Sequence, residues 1–435
     1  MNPMRIAGLL ALAMAAARAE AAEVAAGDDW HAQAQKRIEV LRRSEVRLRV
    51  LDAAGRPVAA AECRLRMTRH AFPFGTAVGD RAFAIASTQP ADGPGRFYAE
   101  FKTLFNGATL EGGLRWAALE TPARRAQTER IVNDLKRLGV HLRGHTLVYG
   151  GWEHLPPRLR ELEKDPEALR AEVRNHVKRT VEAFKGRIDT WDVLNEPWSH
   201  QTLTRILGEA EMAEWFRIAR AADPIARLVV NENNIISSGI KLEPYLKIVR
   251  RLIDDKAPLD AVGVQSHFRA SRFDPQTNPP PSAQVLWERL EKVAALGLPI
   301  EITEFDVFND KPDAPVQFSD DDQARITRDM LYVAFSHPKV VAFFIWGFWD
   351  GSHWMNNAPI YTRDWQVKPS GRVWLDLVRN KWWTNEQGRT DAEGRFAASA
   401  YHGEHELTVR LGERTATRQV RVRPGEAAVV EVVLE

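Results

Sequence analysis

Eight short apolar segments recur between residues 72 and 346 and constrain the fold more than any other feature of the chain. Each is rich in β-branched or aromatic residues, which is typical of a strand buried on both faces. The stretches between them carry apolar residues at three- and four-residue steps, the pattern of amphipathic helices. The predicted strands are Phe72–Val78, Phe105–Leu110, His141–Val148, Ile188–Asn195, Arg227–Asn231, Ala261–Gln265, Pro299–Thr303 and Val341–Trp346.

This alternation of strand and helix predicts an α/β fold, a (β/α)8 TIM barrel with extended loops. An open doubly wound sheet is the alternative. It ranks lower because no glycine-rich dinucleotide loop follows the first predicted strand. The predicted helices include Arg124–Leu138, Leu169–Phe184, Leu242–Asp254, Ala283–Ala295 and Asp321–Phe335.

Short alternating strands flank the barrel on both sides. Residues 44–69 form an N-terminal β segment, residues 70–382 the barrel, and residues 383–435 a C-terminal β segment. Neither flank alone has enough strands to bury a core. The ends of a domain commonly lie close together. We therefore predict one small all-β sandwich built from both flanks.

The composition is that of a globular protein, with 44% apolar and 27% charged residues. Lys and Arg number 60 against 58 Asp and Glu, so neither nucleic acid nor an anionic membrane is an expected partner. Residues 1–22 resemble a signal peptide, in which Arg5 precedes an apolar run of 12 residues, Ile6–Ala17. That run is too short to span a bilayer, and no other segment is long enough. We expect a monomeric protein, secreted or held in the periplasm or cell envelope.

Two glutamates, Glu196 and Glu304, each follow a predicted buried strand. Carboxylates at the same ends of parallel strands can act on one substrate atom, which is what a glycosidase requires. The alternative is that each glutamate only caps a strand or pairs with an arginine. The twelve histidines show no two-histidine-plus-carboxylate spacing. No metal and no cofactor is therefore expected.

The segments around both glutamates, Trp191–Pro197 and Ile302–Asp306, resemble the catalytic signatures of glycoside hydrolase family 10. That family consists mainly of endo-β-1,4-xylanases that are (β/α)8 barrels with a retaining mechanism. The chain is most similar to the plant-type members, which carry β segments beside the barrel. Further matching motifs are Phe74–Ala77, Thr109–Glu111, Trp116, Gly144–Val148, Asn231, Gly263–His267, and Trp346 with Trp354.

The resemblance implies roles for individual residues. Glu196 would be the acid/base, protonated near neutral pH, and Glu304 the nucleophile. Asn195 would hydrogen-bond the sugar 2-hydroxyl, and His267 the nucleophile. The further residues expected to bind substrate are Glu111, Arg115, Gln265, Trp346 and Trp354, and those expected to support the catalytic groups from behind are Asp306, Asn231 and His145.

Three positions depart from the family pattern and bear on the substrate. Gly112 stands where the family has Asn, Arg115 where it has Lys, and Gly150 where it has His. These losses predict a more open subsite for the sugar that is cleaved, with weaker discrimination among sugars. We expect a retaining endo-β-1,4-glycanase, foremost a xylanase acting on a plant polysaccharide. The alternatives are a glycosidase of the same fold with altered sugar specificity and a carbohydrate-binding protein without turnover.

Overall fold

The structure, a computed structural model, describes residues 30–90 and 93–435. The predicted signal peptide lies outside the described residues. Within those residues, no helix is both long and apolar enough to cross a membrane.

Eight parallel strands close into a barrel, as predicted. Phe343 of the last strand pairs with Phe74 of the first, which completes the ring. The buried pattern of these strands is continuous because each has one face toward the barrel interior and the other against helices. The barrel strands are β3 (Phe74–Val78), β4 (Gly107–Leu110), β5 (His141–Gly144), β7 (Thr190–Asn195), β8 (Arg227–Glu232), β9 (Ala261–Val264), β11 (Ile300–Phe308) and β12 (Val340–Ile345).

Two short strands extend the barrel at its carboxyl edge. β6 (Val148–Tyr149) pairs with β7, and β10 (His267–Arg269) pairs with β11. The sequence predicted that the seventh strand ends at Thr303. In the structure this strand continues to Phe308, because β10 supplies a partner for its second half.

Amphipathic helices surround the strands. In the helix Leu242–Asp254 the buried residues include Leu242, Leu246 and Val249, so one stripe faces the sheet. Local capping sets several boundaries: the side chain of Asp165 accepts the N–H of Ala168 at the start of one helix. The helices are α1 (30–42), α2 (Asp80–Ala86), α3 (Arg96–Leu104), α4 (Trp116–Leu119), α5 (Pro122–Arg137), α6 (Pro166–Phe184), α7 (Thr202–Leu207), α8 (Glu211–Ala222), α9 (Leu242–Asp254), α10 (Ala283–Ala294), α11 (Asp320–Ser336) and α12 (Pro369–Trp374), the last continuing as a π-helical turn, Leu375–Lys381.

The flanks form the predicted sandwich, with strands from both ends of the chain in each sheet. One sheet has the order β14-β1-β17 and the other β13-β2-β15-β16. Apolar side chains of the two sheets, such as Leu48, Leu65 and Val409, form a core separate from that of the barrel. The strands are β1 (Arg43–Leu51), β2 (Glu62–His70), β13 (Asn385–Arg389), β14 (Arg395–Tyr401), β15 (Gly403–Leu411), β16 (Arg414–Val422) and β17 (Ala428–Val433).

Helix α1 joins the sandwich to the amino-terminal side of the barrel. Its Ala34 and Ile38 are fully buried in the barrel core. The guanidinium of Arg42 donates to the carbonyls of Phe335, His337 and Val340, each at 2.9 Å. Val340 begins β12, so this junction lies at the opposite end of the barrel from the carboxyl edge, where the candidate site is found.

Candidate active site

Glu196 follows β7 in a tight turn at the carboxyl edge. Its φ is 50°, in the left-handed region, and its N–H donates to the carbonyl of Asn231 at 2.7 Å. The amide of Gln265 donates to one carboxylate oxygen at 3.0 Å. Nε2 of His200 lies 3.3 Å from the other oxygen.

These contacts decide where the proton resides. Burial would raise the pKa of the Glu196 carboxyl, but hydrogen bonds from His200, Gln265 and Tyr149 lower it to about 2. The hydrogen bond to Glu196 in turn raises the pKa of His200. In the free protein the Glu196 carboxyl is therefore ionised near neutral pH, and its contact with His200 favours the protonated form of that imidazole. The expectation that Glu196 is protonated near neutral pH differs from this low pKa, and His200 is the neighbouring group whose protonated form the contact favours.

Glu304 lies within β11 and is only 4% exposed. The amide of Asn231 donates to its Oε1 at 2.7 Å. Nε2 of His267 lies 3.2 Å from its Oε2, and Nδ1 of His145 lies 3.9 Å from Oε1. The structure thus brings together the predicted nucleophile and three of the residues predicted to support or contact it.

His267 and Asp306 form a buried ion pair behind Glu304. Nδ1 of His267 is 2.6 Å from Asp306. Burial would lower the pKa of the His267 imidazole, but Asp306 and Glu304 raise it to about 10. Burial would likewise raise the pKa of the Asp306 carboxyl, but His267 and then His353 lower it to about 2. His267 is therefore an imidazolium, and it places a positive charge directly beside Glu304.

Asn231 connects the two halves of the site. Its amide nitrogen also lies 3.0 Å from Oδ1 of Asn195, and its own oxygen accepts from Thr303 at 2.8 Å. These contacts orient Asn195. Among the described residues, the buried Nδ2 of Asn195 has no hydrogen-bond partner, so this donor is available to a ligand.

Glu111 and Arg115 lie on the β4 side of the site. Burial raises the pKa of the Glu111 carboxyl, while the positive charge of Arg115 acts against that rise. The guanidinium of Arg115 lies 5.9 Å from the centre of the Tyr149 ring. Its Nε is buried and, within the described part of the chain, has no partner. A buried unpaired donor at this edge is suited to an oxygen of a bound sugar.

Two tryptophans flank His267. The ring of Trp346 lies 6.3 Å from the His267 ring, and the ring of Trp354 lies 5.4 Å from it. Nε1 of Trp354 donates to Asp306 at 2.8 Å, which fixes the indole although the residue is 40% exposed. An exposed and oriented aromatic face of this kind can stack on a sugar.

The two glycine departures do not simply open the subsite. An added Cβ at Gly150 would meet the carbonyl oxygen of His200 at 2.6 Å, so backbone closes that position. At Gly112 an added Cβ would lie 3.5 Å from Asp80 and 3.8 Å from Arg124. The expectation of a more open subsite is wrong at Gly150, because the turn after Glu196 packs against it.

Sequence reasoning missed three residues around Glu196: Tyr149, His200 and Glu232. Glu232 is buried and accepts the N–H of Trp198 at 2.9 Å and the hydroxyl of Ser199 at 2.8 Å, so it holds the turn that carries His200. The position of His200, four residues after Glu196, was the one available signal. Tyr149 immediately precedes Gly150, one of the three departures, but no role is predicted for it from the sequence.

The fold also assembles a group that the histidine spacing did not predict. Glu153, His154 and His200 offer ligand atoms that all lie within 4.8 Å of one another. Because His200 is distant in sequence from the other two, only the pairing of β6 with β7 brings them together.

Glutamates at the carboxyl edge of the fourth and seventh strands of a (β/α)8 barrel are the arrangement of a glycosidase. The model of glycosyl hydrolase family 10 matches residues 66–375, and the chain belongs to this family.

The similar proteins include plant xylanases, as expected, and a bacterial anti-sigma-I factor. The chain is 31% identical over 389 residues to anti-sigma-I factor RsgI6 of Acetivibrio thermocellus, a match that covers 88% of this chain and 47% of that protein. It is 25% identical to endo-1,4-beta-xylanase 2 of Arabidopsis thaliana, with 91% of this chain and 35% of that protein covered. The chain thus spans less than half the length of these two relatives. Xylanase 10B of Thermotoga petrophila, solved with xylobiose, has the same fold, with a TM-score of 0.61, 24% identity, and 72% of this chain and 95% of that chain covered.

Proposed function

We propose that the chain hydrolyses internal β-1,4 linkages of xylan with retention of configuration. The observation that carries this proposal is the polar network around the two glutamates. Asn231 donates to Glu304 and lies 3.0 Å from Asn195, while Gln265 donates to Glu196. Such a network holds an acid/base and a nucleophile on one substrate. Membership of glycosyl hydrolase family 10 supports the reaction class.

The proposed reaction has two displacements. Glu196 protonates the glycosidic oxygen while Glu304 attacks the anomeric carbon; the bond to the leaving sugar breaks, and a glycosyl ester forms on Glu304. Glu196, now a carboxylate, removes a proton from water, which attacks the same carbon and releases Glu304. The imidazolium of His267 stabilises Glu304 as a carboxylate when it is released. Nδ2 of Asn195 is free to donate to the sugar 2-hydroxyl.

A second candidate is hydrolysis of a decorated or differently linked β-glycan by the same two steps. This candidate is favoured by Arg115, whose planar guanidinium stands where the family has the ammonium group of a lysine. Its buried Nε, unpaired among the described residues, can select an additional acceptor on the substrate. A carbohydrate-binding protein without turnover fits less well, because both glutamates are in place.

We further propose that the protein acts outside the cytoplasm, on the support of the basic and apolar pattern of residues 1–22.

The test is reducing-sugar release from xylans, glucans and mannans by the full chain and three variants. Glu304→Ala is expected to lose activity and regain it with azide, giving a product of inverted configuration. Glu196→Ala is expected to retain activity only on substrates with good leaving groups. Glu214→Ala, a solvent-accessible helix position paired with Arg217 at 3.2 Å, is the matched control and is expected to match the wild type. Normal xylan turnover by either active-site variant would refute the roles, and release from glucan or mannan alone would favour the second candidate.

A further inference from the structure

Glu153, His154 and His200 form a compact group beside Glu196. Oε1 of Glu153 lies 2.7 Å from Nδ1 of His200 and 3.7 Å from Nε2 of His154. The two imidazole rings are 4.6 Å apart at an interplanar angle of 75°. No part of the proposed hydrolysis uses Glu153 or His154.

The fold holds both histidines in place. The His154 ring stacks on the Tyr149 ring at 3.6 Å and 13°. His200 ends the turn after Glu196, and its N–H donates to the carbonyl of Glu196 at 2.9 Å. The Glu153 side chain is 60% exposed, so it can move without disturbing the packing. Two fixed ligands and one adjustable carboxylate are thus present.

We propose that Glu153, His154 and His200 bind one divalent transition cation of the zinc class. Two imidazoles and one carboxylate are a ligand set that zinc takes in proteins, with the fourth position left open. Bond lengths of about 2.0–2.1 Å place tetrahedral ligand atoms roughly 3.3 Å apart. The observed separations of 2.7 and 3.7 Å lie on either side of that value.

The protonation states of the two histidines differ in a way that matters for binding. Burial, and then the charge of His200, lowers the pKa of His154 to about 4, so its ring is neutral and its nitrogen is free to coordinate. Arg115 lowers that pKa further. The hydrogen bonds to Glu196 and Glu153 raise the pKa of His200, so this ring must lose a proton when a cation binds.

The cation site is coupled to Glu196 through one ring. Nδ1 of His200 faces Glu153, and its Nε2 lies 3.3 Å from Glu196. A metal-bound imidazole that donates its other N–H to a carboxylate is a recurrent and stabilising arrangement. A cation on Nδ1 would displace the proton held there and leave Nε2–H donating to Glu196, so the ring could no longer pass a proton to Glu196. If the proposed hydrolysis holds, zinc therefore inhibits the step that needs Glu196 as an acid.

Direct binding tests the site independently of any activity. We expect isothermal titration of the full chain with Zn²⁺ to give one site, and titration with Co²⁺ to give the visible absorption of a four-coordinate ion. Affinity should fall as the pH is lowered, because coordination through Nδ1 of His200 displaces a proton. His154→Ala should weaken binding at least about tenfold. His31→Ala is the matched control, because His31 pairs with Asp329 at 2.9 Å and the structure shows no second histidine ligand there among the described residues.

An activity measurement then tests the coupling. Zn²⁺ should inhibit cleavage of an unactivated glycoside and spare an aryl glycoside whose leaving group needs no proton. Absence of a saturable site, or equal Zn²⁺ affinity of the wild type and His154→Ala, would overturn the proposal of a cation site. Binding as expected with equal inhibition of both substrates would overturn the coupling to Glu196. An inactive protein that still binds one Zn²⁺ would count against the proposed hydrolysis and leave the cation site supported.

Discussion

Replacing His200 by Asn should move the alkaline limb of the pH–activity profile to lower pH. Glu196 and His200 interact closely enough to titrate as a pair, whose pKa values belong to both groups. Hydrogen bonds hold the pKa of Glu196 at about 2 despite its burial, and the contact with Glu196 raises the pKa of His200. Over the range between these values the pair carries one proton. That proton can return to Glu196 and be donated to the leaving sugar, so activity is lost only when the pair loses it.

The size of the shift of the alkaline limb follows from the pKa values of an imidazole and a carboxyl group. In the wild type we expect the alkaline limb above the usual imidazole pKa of about 6.5, because the pKa of His200 is raised. In His200→Asn only the carboxyl titrates, and its usual pKa is about 4.3. The limb should therefore fall by at least about two units. At pH values above both limbs, kcat/KM should fall about 100-fold, equivalent to about 2.7 kcal/mol.

The assay is kcat/KM against pH on two substrates, an unactivated xylo-oligosaccharide and an aryl xyloside with an acidic leaving group. Only the first needs a proton from Glu196, so only its alkaline limb should move. His31→Asn, which alters a histidine–carboxylate pair away from the site, should leave both profiles unchanged. The titratable groups around His200 are Glu196, Glu153, His154 and Tyr149, whose ring lies 4.9 Å from the His200 ring. An alkaline limb that stays in place in His200→Asn would refute the shared proton.

Three further outcomes are expected. Asp306→Asn removes the carboxylate that contributes most to raising the pKa of His267 to about 10. Activity in this variant should therefore be lost at a lower pH than in the wild type. NMR titration of the His267 ring and a pH–rate profile would show both changes. Thermal unfolding at different pH values should show that the Asp306–His267 pair stabilises the fold. The stabilisation from Asp306 is present above its unfolded-state pKa of about 3.9 and is lost as the pH falls toward about 2. The stabilisation from His267 is present below about pH 6.5 and is lost as the pH rises toward about 10. Leu48→Ala, at a position 2% exposed between the two sheets, should cost about 2–5 kcal/mol in chemical denaturation of the sandwich, and an unchanged transition would contradict the shared core.

The barrel could be predicted because its information is local and repeated. Each strand is a short buried run, and each helix has a stripe of apolar residues, so the order of elements alone selects the closed topology. The two glutamates could be located because strand ends are visible in the same pattern. The length of β11 could not, since its second half depends on pairing with β10, which is only three residues long.

The surroundings of Glu196 show why the rest of the site could not be predicted from the sequence. His200 lies close to Glu196 in sequence, yet its effect depends on where its ring lies, and Glu232 holds the turn that carries it by accepting the N–H of Trp198. Glu153 meets His200 only because β6 lies beside β7. The family motif records which residue gives the proton, whereas the pKa of that residue is decided by neighbours from separate loops. Two chains with the same Asn-Glu-Pro motif can therefore differ in the pKa of the catalytic carboxyl, and in this chain hydrogen bonds from His200, Gln265 and Tyr149 lower it.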